Sequence, residues 1–126
     1  MAVNEETRAL LAHAAREKTV TLVTRGRRTG IPRRVTIWFV VDGDTIGLGT
    51  LNQDRNWVKN ARGAGEVELE LAAGRLAGRF ADITDAGEHA TVRGLIAKKY
   101  LPARIASWFG IGQKHTFRIS DLRPAA

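Results

Sequence analysis

The pattern of apolar and polar positions predicts a chain that is mainly β. Six segments alternate or are rich in β-branched residues, as is typical of strands. They are residues 19–25, 34–41, 45–50, 66–71, 75–83 and 116–122. Short turns join most of them, among them Asp42-Gly43-Asp44, whose Asp-Gly pair is typical of a tight hairpin. The pattern therefore predicts a small antiparallel barrel of six strands with a few helices beside it.

Helical spacing occurs between these strands. Asn4 is a candidate N-cap for a first helix that ends near Arg16. Residues 52–62 begin with capping residues and lack strand alternation, which favours a second, short helix. Asp85 and Glu88 have the spacing of a capping box, and a longer helix is expected to follow them.

Length and composition limit the class of protein. A chain of 126 residues with 44% hydrophobic content fits one domain over residues 1–126. The absence of cysteine excludes a disulfide scaffold and thiolate metal sites, and it fits a reducing compartment. The longest strongly apolar run, residues 37–41, is far shorter than the roughly 18 residues of a membrane span. We therefore expect a cytoplasmic protein without a signal peptide or a membrane-spanning segment.

The positive charge is concentrated in one turn. The formal net charge is +7, and residues 25–34, RGRRTGIPRR, hold five arginines and no acid. The other 116 residues contribute only +2, with 15 basic and 13 acidic side chains. A cluster this local favours a small ligand with phosphate or carboxylate groups. Two alternatives remain open at this stage, a nucleic-acid partner and a solvated arginine loop.

The residues for several kinds of catalysis are missing. The two serines that could serve as nucleophiles, Ser107 and Ser120, are not in a G-x-S-x-G motif. The three histidines are scattered, so no metal site is predicted, and neither a Walker A nor a G-x-G-x-x-G motif occurs. What remains is the arginine turn, strand 45–50 with Gly47 and Gly49, and several aromatic residues. This set suits a bound redox cofactor, because the cofactor carries the hydride chemistry itself.

Three motifs carry a resemblance to a known family. They are the turn from Thr24 to Arg33, the segment Val35-Thr36-Ile37-Trp38, and Asn56-Trp57-Val58-Lys59-Asn60. In order and spacing the sequence resembles the deazaflavin-dependent nitroreductases. These are split β-barrel flavin and deazaflavin oxidoreductases related to pyridoxamine 5'-phosphate oxidase. The resemblance covers about residues 19–83.

The resemblance implies a six-stranded antiparallel split β-barrel that binds coenzyme F420 or, in relatives, FMN. It assigns the anionic tail of the cofactor to Arg27, Arg28 and Arg33. The ring of the cofactor would lie near the end of the third strand and the start of the short helix, at Gly49, Thr50, Leu51, Arg55, Asn56 and Trp57. Trp57 could instead be a core anchor for its helix.

The acceptor substrate is expected against a wall of aromatic residues. Trp38, Tyr100 and Trp108 are the candidates, and Tyr100 is a candidate catalytic proton donor. For Trp38 a core position is the alternative. Related nitroreductases place several tyrosines near the substrate, whereas this chain has one tyrosine.

The function expected from the resemblance is that of an oxidoreductase. Reduced coenzyme F420 would pass a hydride to a small planar electron-poor acceptor such as a quinone, an enone or a nitroaromatic. The alternatives are an FMN-dependent oxidoreductase of the same fold, a carrier that binds the cofactor without turnover, and a basic barrel that binds single-stranded nucleic acid. A homodimer is expected, because barrels of this class usually pair.

Overall fold

The computed structural model describes residues 4–50, 52, 54–100 and 114–125. These residues form seven strands and three helices. In chain order they are α1 (Glu5–Ala14), β1 (Val20–Arg25), β2 (Pro32–Ile37), β3 (Val40–Asp42), β4 (Thr45–Thr50), α2 (Asn56–Ala64), β5 (Glu66–Leu71), β6 (Gly74–Asp82), α3 (Ala86–Lys99) and β7 (His115–Pro124).

The strands form one antiparallel sheet that curls into a half-barrel. Its order is β2-β1-β5-β6-β7-β4-β3, so β2 and β3 lie at opposite ends. The sequence predicts one strand over 34–41, but this segment divides at Trp38 and Phe39. Its first half pairs with β1 and its second half pairs with β4. The mainly β antiparallel fold is confirmed, with seven strands instead of six because one segment serves both ends of the sheet.

Both predicted N-caps are present. Thr7 N donates to Asn4 Oδ1 at 2.8 Å, and Glu88 N donates to Asp85 Oδ2 at 2.8 Å. The capping box at α3 is completed in only one direction, because the Glu88 carboxylate accepts from Arg118 Nε at 2.6 Å. Arg118 also donates to Asp42 Oδ2 at 3.0 Å, so this guanidinium joins α3, β7 and the end of β3.

Acidic side chains of β5 pair with arginines of other strands. Arg75 of β6 lies 2.9 Å from Glu68 of β5. Arg79, also of β6, pairs with Asp121 of β7 at 3.9 Å. Exposed pairs of this kind contribute at most about 1 kcal/mol each.

The core lies between the sheet and the helices. Leu22, Leu48, Leu69 and Phe117 are fully buried in the main cluster, into which α1 and α2 also pack. A smaller cluster under α3 contains Val40, Val92, Ile96 and Tyr100. The glycines of β4 favour a close approach of other groups to their backbone, and at Gly47 two side chains approach, Val40 of β3 and Val92 of α3. A Cβ there would lie 3.0 Å from Val92 Cγ1.

Gly78 should tolerate no side chain. A Cβ at this position would lie 2.6 Å from Ile119 Cγ2 and 2.8 Å from Ser120 O, beside the register shift between β6 and β7. We expect Gly78→Ala to lower the free energy of unfolding by about 1–3 kcal/mol, the usual cost of overpacking. Chemical denaturation measures this change.

Gly94→Ala is the matched control. Gly94 is exposed in α3, and a Cβ there would meet nothing within 4 Å. This variant should gain about 0.5–1 kcal/mol from helix propensity. Equal stability changes for the two alanine variants would contradict the packing described at Gly78.

Candidate functional site

The arginine turn is a compact loop between β1 and β2. Arg25 pairs with Pro32 at the end of the ladder, which leaves residues 26–31 as the turn. Gly26 N donates to Ile31 O at 3.0 Å, and Gly30 N donates to Gly26 O at 2.9 Å. Gly30 adopts a positive φ of 68°, which glycine reaches at little cost. Backbone bonds therefore set the shape of the turn and leave its arginine side chains for other contacts.

Four of the five arginines fall into two groups by their side-chain partners. Arg34 Nε lies 2.8 Å from Glu70 Oε1, so Arg34 pairs with an acid of β5. Arg25 Nη1 donates to Gly30 O at 3.1 Å and braces the turn. Arg28 and Arg33 have no carboxylate partner among the residues that the structure describes. The positive charge of these two side chains is consequently uncompensated.

Helix α2 begins beside this turn. Its N-cap is Arg55, whose side chain makes no capping hydrogen bond. The first amides of a helix have no partner within the helix, and the helix dipole adds positive potential at this end. The start of α2 therefore adds hydrogen-bond donors to those of the turn, and the Arg55 guanidinium adds a further positive charge.

The turn and the start of α2 enclose a cleft of about 710 Å³, which we call the arginine cleft. Its walls include six of the nine residues that the resemblance assigns to the cofactor: Arg27, Arg28, Arg33, Arg55, Asn56 and Trp57. Ligand pockets commonly have volumes of about 300–1,000 Å³. The cleft has room for a small molecule, and its described walls contain no His, Asp, Glu or Tyr.

Trp57 serves the cleft and the core together. Its ring lies edge-on to Phe117 and Phe80, with centroid distances of 5.7 and 6.4 Å. The same side chain is half-buried and contributes to the cleft wall. Trp57 therefore anchors α2 to the core, and its assignment to the ring of the cofactor stays a prediction.

The end of β4 is outside the described walls of the arginine cleft. Gly49 pairs with Thr116 of β7, and Thr50 is buried with its hydroxyl near Asn52. Leu51 lies outside the described residues. The assignment of these three residues to the ring of a cofactor stays a prediction.

The aromatic wall expected for the substrate is also a separate feature. Trp38 and Tyr100 stack with a centroid distance of 4.3 Å and an interplanar angle of 1°. Trp38 is 38% exposed, whereas Tyr100 belongs to the core cluster under α3. Neither residue is among the described walls of the arginine cleft. Trp108 lies outside the described residues, and the substrate assignment of all three stays a prediction.

The Tyr100 hydroxyl has structural partners on all sides. It accepts from Phe39 N at 3.1 Å and lies 2.6 Å from Lys18 O and 2.8 Å from Phe39 O. Burial raises the pKa of Tyr100, which opposes ionisation of the phenol. These contacts tie the end of α3 to the break between β2 and β3, and a catalytic role for Tyr100 stays a prediction.

Replacing Tyr100 by Phe should lower the free energy of unfolding without changing the binding of anions in the arginine cleft. The loss of a hydroxyl that serves buried backbone groups costs about 1–3 kcal/mol. In the folded state the pKa of Tyr100 is raised above its usual value of 10.0. The contribution of the hydroxyl to the free energy of unfolding is therefore present below pH 10 and declines above it. Denaturation of both proteins at neutral and at high pH measures this. A constant difference across that range would contradict the burial of the phenol.

Asn60 is a site residue that the sequence analysis does not single out. It follows Asn56 by one helical turn and is only 7% exposed. Arg27 Nη1 donates to Asn60 Oδ1 at 2.9 Å, and both side chains belong to the cleft wall. The spacing of four from Asn56 and three from Trp57 is the signal that places Asn60 on the same face of α2.

The described part of the chain lacks both a membrane-spanning helix and a cluster of metal-binding side chains. None of its helices is long and apolar enough to cross a membrane. Within the same residues, no group of three His, Asp or Glu side chains is arranged to hold a metal ion.

Comparison with known proteins connects the chain to others through its fold. No protein-family model and no curated protein matches the sequence. A conserved hypothetical protein of Mycobacterium tuberculosis superposes with a TM-score of 0.70 at 16% identity, covering 98% of this chain and 84% of that one. An F420-H2 dependent reductase gives a TM-score of 0.66 at 15% identity, covering 82% and 95%. An FMN-binding protein of Syntrophomonas wolfei gives 0.58 at 17% identity, covering 96% and 89%.

At these identities the likeness concerns the fold. The protein therefore has the split β-barrel fold that flavin-binding and deazaflavin-dependent proteins also have.

Proposed function

We propose that this protein is an oxidoreductase that binds coenzyme F420 in the arginine cleft and reduces a small planar electron-poor acceptor. The observation that carries the proposal is the cleft itself. Arg28, Arg33 and Arg55 line it without a carboxylate partner among the described residues, next to the uncapped start of α2. The fold shared with an F420-H2 dependent reductase supports the same cofactor.

The donor groups of the cleft fit an anionic tail. Guanidinium groups form bidentate, charge-assisted hydrogen bonds with phosphate and carboxylate oxygens. The first amides of α2 favour an anion for the reasons that hold at helix N-termini in general. Arg27 and Arg28 of the turn and Arg33 of β2 would hold the tail on one side, and Arg55 with the first amides of α2 would hold it from the other.

The remaining walls fit a flat ring. Trp57 is held edge-on by two core phenylalanines, so its orientation is set by packing before any ligand binds. Val35 adds an aliphatic surface to the same cleft. A rigid aromatic wall beside a cluster of cations suits a ligand that has a planar end and an anionic end.

The chemistry divides between the cofactor and the chain. A reduced deazaflavin supplies a hydride when it is bound. The residues of this chain bind the anionic groups, orient the ring and exclude water from one side. The described walls hold no acid, histidine or tyrosine, so positioning is the contribution that these residues make to the rate.

An FMN-dependent enzyme of the same fold is the second candidate. The fold shared with an FMN-binding protein favours it, and the same cationic groups would receive the phosphate of FMN. A protein purified with FMN would be yellow, whereas F420 would be observed as a change in coenzyme fluorescence on titration.

Coenzyme binding is tested first and turnover second. Fluorescence titrations with F420 and with FMN should give a saturable signal for F420, and the absence of a signal with both would refute the proposal. Stopped-flow oxidation of the bound reduced coenzyme by a series of quinones, enones and nitroaromatics then separates an enzyme from a carrier. Sedimentation of the protein at several concentrations tests the expected homodimer.

A polynucleotide titration addresses the remaining alternative. Binding to many phosphates falls steeply with salt because counterions are released. We expect weak polynucleotide binding and no competition with the coenzyme. Tight binding with a steep salt dependence would favour the nucleic-acid interpretation of the arginine turn.

A further inference from the structure

We propose that Asn60 is a specificity-determining residue, because it orients Arg27 in the arginine cleft while leaving the charge of Arg27 uncompensated. The inference rests on the anion-binding role of the cleft proposed above. It adds a statement about how many negative charges the ligand should carry. The site favours ligands with several negative charges on linked groups, for which pyrophosphate is the simplest probe.

The contact is well placed to orient the arginine. Asn60 is 93% buried, so its amide oxygen has little freedom to move, and it accepts from Arg27 Nη1 at 2.9 Å. Arg27 itself is exposed on the turn. A buried acceptor that bonds an exposed donor restricts the guanidinium to one side of the cleft, with its remaining N–H groups available to a ligand.

This bond also joins the turn to α2. Other hydrogen bonds in the described turn are internal to the β1-β2 hairpin: Arg25 Nη1 donates to Gly30 O at 3.1 Å, and Ile31 N donates to Thr29 Oγ1 at 3.2 Å. Among the residues that the structure describes, Arg27 and Asn60 are the pair that bridges the two walls by a side-chain hydrogen bond. The position of Arg27 relative to α2 therefore depends on Asn60.

The neutrality of the amide is what makes the arrangement selective. A carboxylate at this position would accept the same hydrogen bond and cancel the charge of Arg27. With asparagine, Arg27 joins Arg28, Arg33 and Arg55 as a cation without a carboxylate partner in the described part of the chain. A ligand with several charges gains from each of these cations, whereas a single small monoanion does not.

The test measures binding of pyrophosphate and of inorganic phosphate by calorimetry, together with Tm. The wild-type protein should bind pyrophosphate more tightly than phosphate. Asn60→Asp should weaken pyrophosphate binding about tenfold or more, as expected for the loss of one charge-assisted interaction, while Tm stays equal or rises. Asn60→Leu should lower Tm and weaken binding by a smaller factor, since Arg27 keeps its charge but loses its orientation.

Arg8→Gln is the matched control. It lowers the net charge by one unit, as Asn60→Asp does, but at an exposed position of α1 that is not among the described cleft walls. Its affinity for pyrophosphate should stay within about twofold of the wild type, because separated surface charges are screened by salt. A loss equal to that of Asn60→Asp would show that net charge alone decides binding and would overturn the inference.

If Asn60 had only a structural role, Asn60→Leu would bind pyrophosphate more weakly than Asn60→Asp. Affinity would then follow Tm, and Asn60→Asp would bind pyrophosphate as well as the wild type, which overturns the inference. A wild-type protein that binds no pyrophosphate overturns it too. The protein could bind pyrophosphate with the expected order of affinities among the variants and yet bind neither F420 nor FMN. That result would refute the proposed function and support the role of Asn60.

A double-mutant cycle provides the test if Asn60→Asp does not fold. In the Arg27→Gln background, Asn60→Leu should cause no further loss of pyrophosphate affinity, because Asn60 acts through Arg27. An equal loss with and without Arg27 overturns the inference.

Discussion

Arg28→Glu should abolish coenzyme binding and leave the fold intact. Arg28 is exposed on the turn, lines the arginine cleft and has no carboxylate partner among the described residues. The substitution removes a charge-assisted hydrogen bond and places a like charge beside the anionic tail of the ligand. We expect the dissociation constant to rise at least about 100-fold, or about 2.7 kcal/mol.

Two further variants make the comparison specific. Arg28→Lys keeps the charge and loses the planar fork, so its loss of affinity should be intermediate. Arg16→Glu makes the same change of net charge at an exposed position just beyond α1 and should bind as the wild type does. Fluorescence titration measures all three, and denaturation should show stabilities within about 0.5 kcal/mol of the wild type. An unaltered dissociation constant for Arg28→Glu would refute the role of Arg28 in holding the tail.

Phe117→Ala should be the most destabilising of the substitutions considered. Phe117 is fully buried in β7, stacks on Phe80 at 5.1 Å and lies edge-on to Trp57 at 5.7 Å. Truncating a buried phenylalanine costs about 3–5 kcal/mol through lost burial and the cavity that remains. Domains of this size are stable by only about 5–15 kcal/mol, so the variant loses a large part of its stability.

The same substitution should also affect the cleft. Removing the Phe117 ring takes away one of the two aromatic supports of Trp57, which is part of the wall of the arginine cleft. We therefore expect weaker coenzyme binding at temperatures where the variant is still folded. Ile31→Ala is the stability control, because Ile31 is 53% exposed at the turn and its truncation should change stability by less than about 0.5 kcal/mol. A loss below 1 kcal/mol for Phe117→Ala would contradict the packing described here.

The strands could be predicted from the sequence because their pattern is local. Alternation and β-branched residues mark β1, β5 and β7, and a capping residue marks each of α1 and α3. The division of residues 34–41 could not be predicted, because it depends on which distant strand each half joins. Both halves are apolar and β-branched, and their partners, β1 and β4, are known only from the complete sheet.

The candidate site shows the same limit. The cluster in residues 25–34 indicates a site for anions, and the resemblance adds the start of α2. Which arginines keep their charge available depends on contacts across the fold. Arg34 meets Glu70, 36 residues away, and Arg27 meets Asn60, 33 residues away. Neither contact has a signature in the local sequence, since each one follows from the register of strands or the placement of a helix.

The position of β7 has a consequence for how the protein is made. This strand lies between β6 and β4 in the sheet, although it follows every other strand in the chain. During translation, the edges of β6 and β4 that face β7 therefore stay unpaired until β7 has been synthesised. Unpaired edges can pair with strands of other chains, so the chain is exposed to aggregation until β7 is in place.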